Sequence, residues 1–175
     1  MRRDFHVTLA KQGRGEAFCQ RGEVFELPAN ATLRVLYPPV GLRRTVTDDK
    51  AVVLLLEAGG IRAMFMSDSG FLTEQWLLAN EPDLRADLLI KGWHAKDLSG
   101  TPDFLARVAP QVVICSPPGY GEPSEKINDW SRETAAHGMT VFRQDQCGAV
   151  TVQTRGHEFT VRGFVNDQTF RSRAR

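Results

Sequence analysis

Cysteine is scarce in this 175-residue chain: Cys19, Cys115 and Cys147 are odd in number, widely spaced, and form no C-x-x-C pair. That pattern excludes a disulfide framework and a cysteine-rich zinc site. An excess of one charge is missing too. A net charge of +1 supplies no broad basic surface for gripping nucleic acid. The short clusters Arg43-Arg44 and Arg171, Arg173, Arg175 read as solvated surface. No apolar run approaches the about 20 residues of a membrane helix. The start MRRDFHVTLAKQGRG lacks the apolar stretch of a signal peptide, so the chain taken alone reads as soluble.

Histidine is sparse as well. His6, His94, His137 and His157 make no HxH, HxxxH or HxxEH pair, so a self-contained zinc site has little support. There is no G-x-S-x-G elbow, no phosphate-binding G-x-x-x-x-G-K-[ST], and no G-x-G-x-x-G after a strand. These absences exclude the commonest serine-hydrolase, nucleotide-phosphate and dinucleotide chemistries.

What is present is a series of short apolar runs separated by clear punctuation. GEVFELPANATLRVLYPP reads as a strand, a turn at Pro28-Ala29-Asn30, and a strand over Leu33 to Tyr37 stopped by Pro38-Pro39. The continuous apolar run from Ala51 to Leu56 suits a strand buried on both faces. Gly59-Gly60 is a hairpin signal, with Ile61 to Met66 returning. FLTEQWLLANE has Leu72, Trp76 and Ala79 at helical spacing, widened by Phe71 and Leu78. ADLLIKG, QVVICSPP and MTVFRQ are short strands. Between them stand two helices, one opening at Thr101-Pro102 and closing before Pro110, the other carrying Ile127, Trp130 and Thr134 on one side and ending at Gly138. GAVTVQT and HEFTVRGF, joined at Arg155-Gly156, form a closing hairpin. The pattern predicts an α/β or mixed α+β fold, with parallel crossovers linking strands over 87–91, 111–115 and 139–143. One domain over 1–165 and a basic, disordered tail over 166–175 are expected.

Three residues stand where strands open into loops. Asp68 ends IRAMFMSD; it suits a hard-cation ligand or an N-cap for the helix starting near Phe71. His94, just past a strand in DLLIKGWHAKDLSG, reads as a ligand or as a satisfied histidine. Glu122, in the loop PPGYGEP, reads as a ligand, a general base, or a charge complementing a helix N-terminus. Cys115, in an apolar strand, reads as a small packed hydrophobe.

The ordered series LRVLYPP, DDKAVVLLLEAGGIRAMFMSDSG, ADLLIKGWHAKDLSGTPDFLARVAPQVVICSPPGYGEP and MTVFRQDQCGAVTV resembles the C-terminal half of the metallo-β-lactamase-fold domain of ComEC-type competence proteins. Those proteins take part in bacterial DNA uptake. The likeness spans roughly residues 22 to 154 and rests on family motifs resembling VLHPP, TGD, HHGS, YGHP and YRTDxxGAI. It implies a metallo-β-lactamase-like αββα sandwich, either its C-terminal half or a shortened version.

The departures from that family are specific. TGD corresponds to Met66-Ser67-Asp68, keeping the aspartate. HHGS corresponds to Trp93-His94-Ala95-Lys96, so Trp93 replaces the first histidine. YGHP corresponds to Tyr120-Gly121-Glu122-Pro123, so Glu122 replaces the histidine. The histidine/aspartate cluster that supplies most metal ligands in the family has no counterpart. Asp68, His94 and Glu122 are then a vestigial metal set, and three scattered groups make a weak cage for a two-metal hydrolase.

Three functions follow as expectations. The first is a structural or DNA-uptake accessory module without catalytic metal or other cofactor. The second is a zinc- or manganese-dependent phosphodiester (DNA) hydrolase completed by a missing N-terminal half or a partner chain. The third is a self-associating interaction domain, since half a sandwich leaves an apolar sheet face to cover. As part of a full-length ComEC-like protein the chain would be associated with the bacterial membrane, although it carries no span itself.

Overall fold

The computed structural model describes residues 2–14, 19–42, 48–94, 97, 99–117, 125–156 and 158–173. Helix α1 (Arg2–Lys11) comes first, followed by β1 (Val24–Leu27), β2 (Ala31–Tyr37), β3 (Val53–Ala58) and β4 (Ile61–Phe65). The chain then alternates: α2 (Phe71–Asn80), β5 (Leu88–Lys91), α3 (Pro102–Val108), β6 (Val112–Cys115), α4 (Glu125–Ala136) and β7 (Thr140–Arg143). A short α5 (Gln144–Cys147) leads into β8 (Val150–Arg155), β9 (Glu158–Gly163) and β10 (Thr169–Arg173).

Strands β1 to β7 form one seven-stranded sheet in chain order. Pairing is antiparallel from β1 to β4 and parallel from β4 to β7. The β3–β4 turn is tight because Gly59 and Gly60 both adopt positive φ, 58° and 79°, the conformation that a two-residue hairpin loop of this hand requires. Each parallel step adds the next strand on the same side. With crossovers of constant hand, the three connecting helices therefore share one face. Leu77 of α2, Phe104, Leu105 and Val108 of α3, and Ile127 and Trp130 of α4 pack there on Val53, Leu55, Met64, Leu89, Val113 and Cys115.

The second sheet, β10-β9-β8, is antiparallel. Its Phe159 and Val161 pack on the opposite face of the large sheet, against Ile61, Ala63, Leu88, Val112, Ile114 and Phe142. The chain is thus a mixed α/β fold, as its pattern of runs predicts.

Two expectations need correction. The segment over 166–173 is not a disordered tail, because Thr169–Arg173 pairs with β9 over five register positions. Phe170 turns inward onto the second core while Arg171 is exposed, a period-two pattern hidden by the surrounding arginines. Helix α2 also buries only part of the expected stripe: Trp76 and Leu78 pack against the main core, but the rest differs. Thr73, Glu74 and Leu77 are buried, whereas Phe71 and Leu72 are each 42% exposed and Ala79 lies in solvent. The reason is polar: Glu74 is drawn inward by hydrogen bonds described below, and its pull outweighs the apolar periodicity. In α4, by contrast, the buried residues are the expected Ile127, Trp130 and Thr134.

Candidate functional site

The carboxyl ends of β4, β5, β6 and β7 lie side by side, the position where open α/β sheets place ligand sites. Asp68 follows β4, Gly92-Trp93-His94 follow β5, Ser116 follows β6, and Gln144 follows β7. Asp49 precedes β3, which is antiparallel to β4, so it reaches the same end of the sheet.

Asp68 is exposed, yet its Oδ1 accepts the Trp93 backbone N–H at 3.2 Å. The two loops meet closely. The Gly92 N–H donates to the Ser67 carbonyl at 2.6 Å. A Cβ on Gly92 would stand 1.9 Å from Asp68 Oδ1 and 2.9 Å from the Ser67 oxygen, so only glycine fits. Asp68 is therefore not the N-cap of α2. Gly70 occupies that position without a side-chain bond, and the exposed N–H of Phe71 is accepted instead by Asp97 Oδ1 at 3.1 Å. A cap supplied from 26 residues downstream has no local sequence signature.

His94 is 3% exposed and lies between two carboxylates. Its Nδ1 accepts the Asp97 amide N–H at 3.2 Å and lies 3.2 Å from Asp97 Oδ2; its Nε2 lies 3.3 Å from Asp49 Oδ1. In the neutral ring the amide donor fixes the proton on Nε2, facing Asp49. Neither ring nitrogen then offers a lone pair to a metal. Asp49 is itself fixed through its carbonyl, which accepts the buried Tyr37 hydroxyl at 2.8 Å. The Trp93 side chain packs against the main core. Glu122, with the rest of Tyr120-Gly121-Glu122-Pro123, lies outside the described residues.

A second polar cluster sits deeper. Glu74, 1% exposed, accepts the backbone N–H groups of Gly100 and Thr101 and the Thr101 hydroxyl, the last at 2.8 Å. Thr101 therefore starts α3 as expected, but its side chain bonds Glu74 rather than the helix. Trp130 Nε1 donates to the Gly100 carbonyl at 2.8 Å and closes the cluster. Lys91, 3% exposed, holds its Nζ 4.7 Å from the Trp130 ring centre, a cation–π contact strengthened by desolvation.

Burial raises the Glu74 carboxyl above its usual range, opposed by the Gly100 and Thr101 bonds and by Lys91. Burial lowers Lys91, opposed by Cys115, Glu74 and Asp97. Cys115 is pushed up to about 11, chiefly by burial, so it stays a thiol and is no nucleophile at neutral pH. Next to it, Arg143 is tied to Asn128 at 2.5 Å and to both oxygens of Asp145 at 3.1 and 2.6 Å, and Ser116 donates to Gln144.

Polar groups thus crowd the strand ends and bond one another. Among the described residues, no three His, Cys, Asp or Glu side chains are arranged to hold a metal ion. The donors among the described residues do not by themselves fit the two-metal centre that the family resemblance implies. A cavity of about 860 Å³ lies between α3 and α4, lined by Leu105, Ala109, Gln111, Trp130, His137 and Met139. Asp49, Asp97, Glu74 and Lys91 are functional-end residues that sequence reasoning missed, and only Lys91, a lone cation ending an apolar strand, carried a signal. Among the described residues, no helix is long and apolar enough to cross a membrane. Compared with protein-family models and with curated protein sequences, the chain matches none.

Proposed function

We propose that this chain is a metallo-β-lactamase-related domain of the ComEC type that has given up metal chemistry and serves as a structural or DNA-uptake accessory module. One observation carries the reading: the retained histidine is consumed. His94 Nδ1 accepts a backbone N–H and its Nε2 faces Asp49, so the imidazole braces the loop. Asp68 likewise serves the Trp93 amide. Two sheets face to face, with helices on the outer face of the larger one, support three of the four layers of the αββα reading. A hydrolase that lowers the pKa of a bound water needs several preorganised ligands with free lone pairs, whereas here His94 Nδ1 and Asp68 Oδ1 each already accept a backbone N–H.

The test is metal titration of the purified chain. Zinc or manganese should neither bind stoichiometrically nor raise the melting temperature, and no divalent metal should elicit nuclease activity. Tight uptake of one or two equivalents, lost in Asp68→Ala, would overturn the proposal.

The runner-up is a zinc- or manganese-dependent phosphodiesterase completed by an N-terminal half or a partner chain. One feature favours it: Asp68 remains exposed at a strand end, with a carboxylate-braced histidine in the neighbouring loop, and such bracing is common around metal ligands. Metal-dependent DNA cleavage appearing only when the complementary half is added would establish it.

A further inference from the structure

Strand β1 is an open margin of the large sheet. Among the described residues it pairs with β2 alone, and all four of its residues are exposed. Natural sheets shield such edges with proline, lysine, a bulge or a covering element. Val24–Leu27 contains no proline or lysine, and its pairing with β2 runs without a bulge. The Val35 N–H donates to the Glu23 carbonyl at 2.9 Å. Antiparallel alternation then turns the backbone groups of Phe25 and Leu27 toward β2 and those of Val24 and Glu26 outward.

We propose that this edge takes a second copy of the same chain, joining two seven-stranded sheets about a two-fold axis through Phe25. Antiparallel self-pairing on that axis is complementary without adjustment. Val24 and Glu26 of one copy exchange N–H···O=C bonds with Glu26 and Val24 of the other. Phe25 faces its own counterpart as a non-hydrogen-bonded pair, with α-carbons about 4.5 Å apart, the spacing at which aromatic cross-strand pairs contribute most. Phe25 is 41% and Leu27 38% exposed in the single chain. Both lie on the face of Leu33 and Ala31 and would be covered.

The other face supplies charge complementarity. Glu26 of the second copy stands opposite Val24, in the same row as Arg34, the register partner of Val24 in β2. Arg34 Nε is shut off from solvent and has no hydrogen-bond partner among the described residues. Two strand spacings, about 10 Å, separate the two α-carbons, and a glutamate and an arginine side chain together span that gap. The two-fold axis makes two such pairs. Four-residue edges bury less than the roughly 1,000 Å² of a permanent interface, so the dimer is weak and concentration-dependent.

Sedimentation equilibrium from micromolar to submillimolar concentration tests this. The wild-type chain should pass from monomer to dimer. Val24→Pro removes an outward N–H that β2 does not use and should weaken association about tenfold, the effect of losing two symmetric hydrogen bonds. Phe25→Lys sets two cations on the axis and should abolish the dimer, which keeps the test open if the proline variant misfolds by circular dichroism. In a Cys19→Ser background, Phe25→Cys should cross-link under mild oxidation, because its counterpart lies within disulfide reach, while off-axis Glu26→Cys should not. A monomer throughout the series, a dimer indifferent to Phe25→Lys, or equal cross-linking at 25 and 26 would overturn the proposal.

Discussion

The parallel and antiparallel halves of one sheet have opposite relations to their surroundings. Strands β5 and β6 are covered on both faces, by α2–α4 on one side and the second sheet on the other. They read as continuous apolar runs, LLIK and VVIC, with nearly every residue buried. Strands β1 and β2 are covered on less of their surface, and β1 is exposed at every position. The difference extends to polar chemistry. Around the buried half's strand ends Glu74, Lys91, His94 and Arg143 are all at most 5% exposed and are met by polar or aromatic partners, Thr101, Trp130, Asp97 and Asp145 among them, because an unpartnered polar group there would cost several kcal/mol. On the open half, backbone groups and apolar side chains face water and remain available. Double coverage leads a sheet to bind itself, and single coverage leaves it able to bind something else.

The largest expected effect tests the closed half. Glu74→Ala should cost about 3–5 kcal/mol in urea denaturation, because it strands the Gly100 and Thr101 donors and leaves Lys91 without its carboxylate. Glu74→Gln adds a pH test. The carboxyl's folded pKa is raised above the ordinary 4.5, so the wild-type residue stabilises most below that value and less as the pH rises through its folded pKa. The Gln variant should therefore lose less, relative to wild type, at pH 7 than at pH 4. An unchanged difference would sever Glu74 from the burial account.

Gly92→Ala comes next, at about 1–3 kcal/mol or more, since the new methyl would displace Asp68 and the Ser67 carbonyl. Thermal unfolding would measure it, and Asp68→Gly in the same chain should restore part of the loss. Asp97→Ala should cost about 1–2 kcal/mol by removing the α2 cap and one of the His94 neighbours; amide exchange of the first turn of α2 should accelerate with it. The open half should be tolerant. Phe25→Ser, studied at concentrations low enough for the monomer, should change stability by under about 1 kcal/mol. A loss as large as that of Glu74→Ala would mean that β1 is as tightly built in as β5, and the contrast between the halves would fail.

Much of the framework was legible in the chain. The tight turn at Gly59-Gly60, the α3 start at Thr101-Pro102 and the buried strand VVIC each rest on local rules of φ, capping and periodicity, and each stands where those rules put it. The site was legible only in part. Asp68 and His94 do flank neighbouring strand ends, but their partners, Trp93, Asp97 and Asp49, were invisible as partners. Asp68 meets the Trp93 amide 25 residues away, and Asp49 stands on the far side of the β3–β4 hairpin. The helix stripe of α2 was legible only at Trp76 and Leu78, because periodicity ranks apolar residues inward and gives no weight to a glutamate with three donors waiting for it. Strand β10 was missed because the arginines in its sequence obscured the alternating Phe170 and Ser172.

By itself, the sequence determined the order of strands and helices, the mixed α/β class and the absence of a paired-histidine metal motif, since these depend on residues within a few positions of one another. Tertiary structure alone decided that His94 and Asp68 are bracing groups, that Lys91 and Glu74 are buried together, and that β1 is the edge left open. Those outcomes depend on which distant groups share a low-dielectric space, where every donor and acceptor must find a partner, and local periodicity carries no record of that pairing.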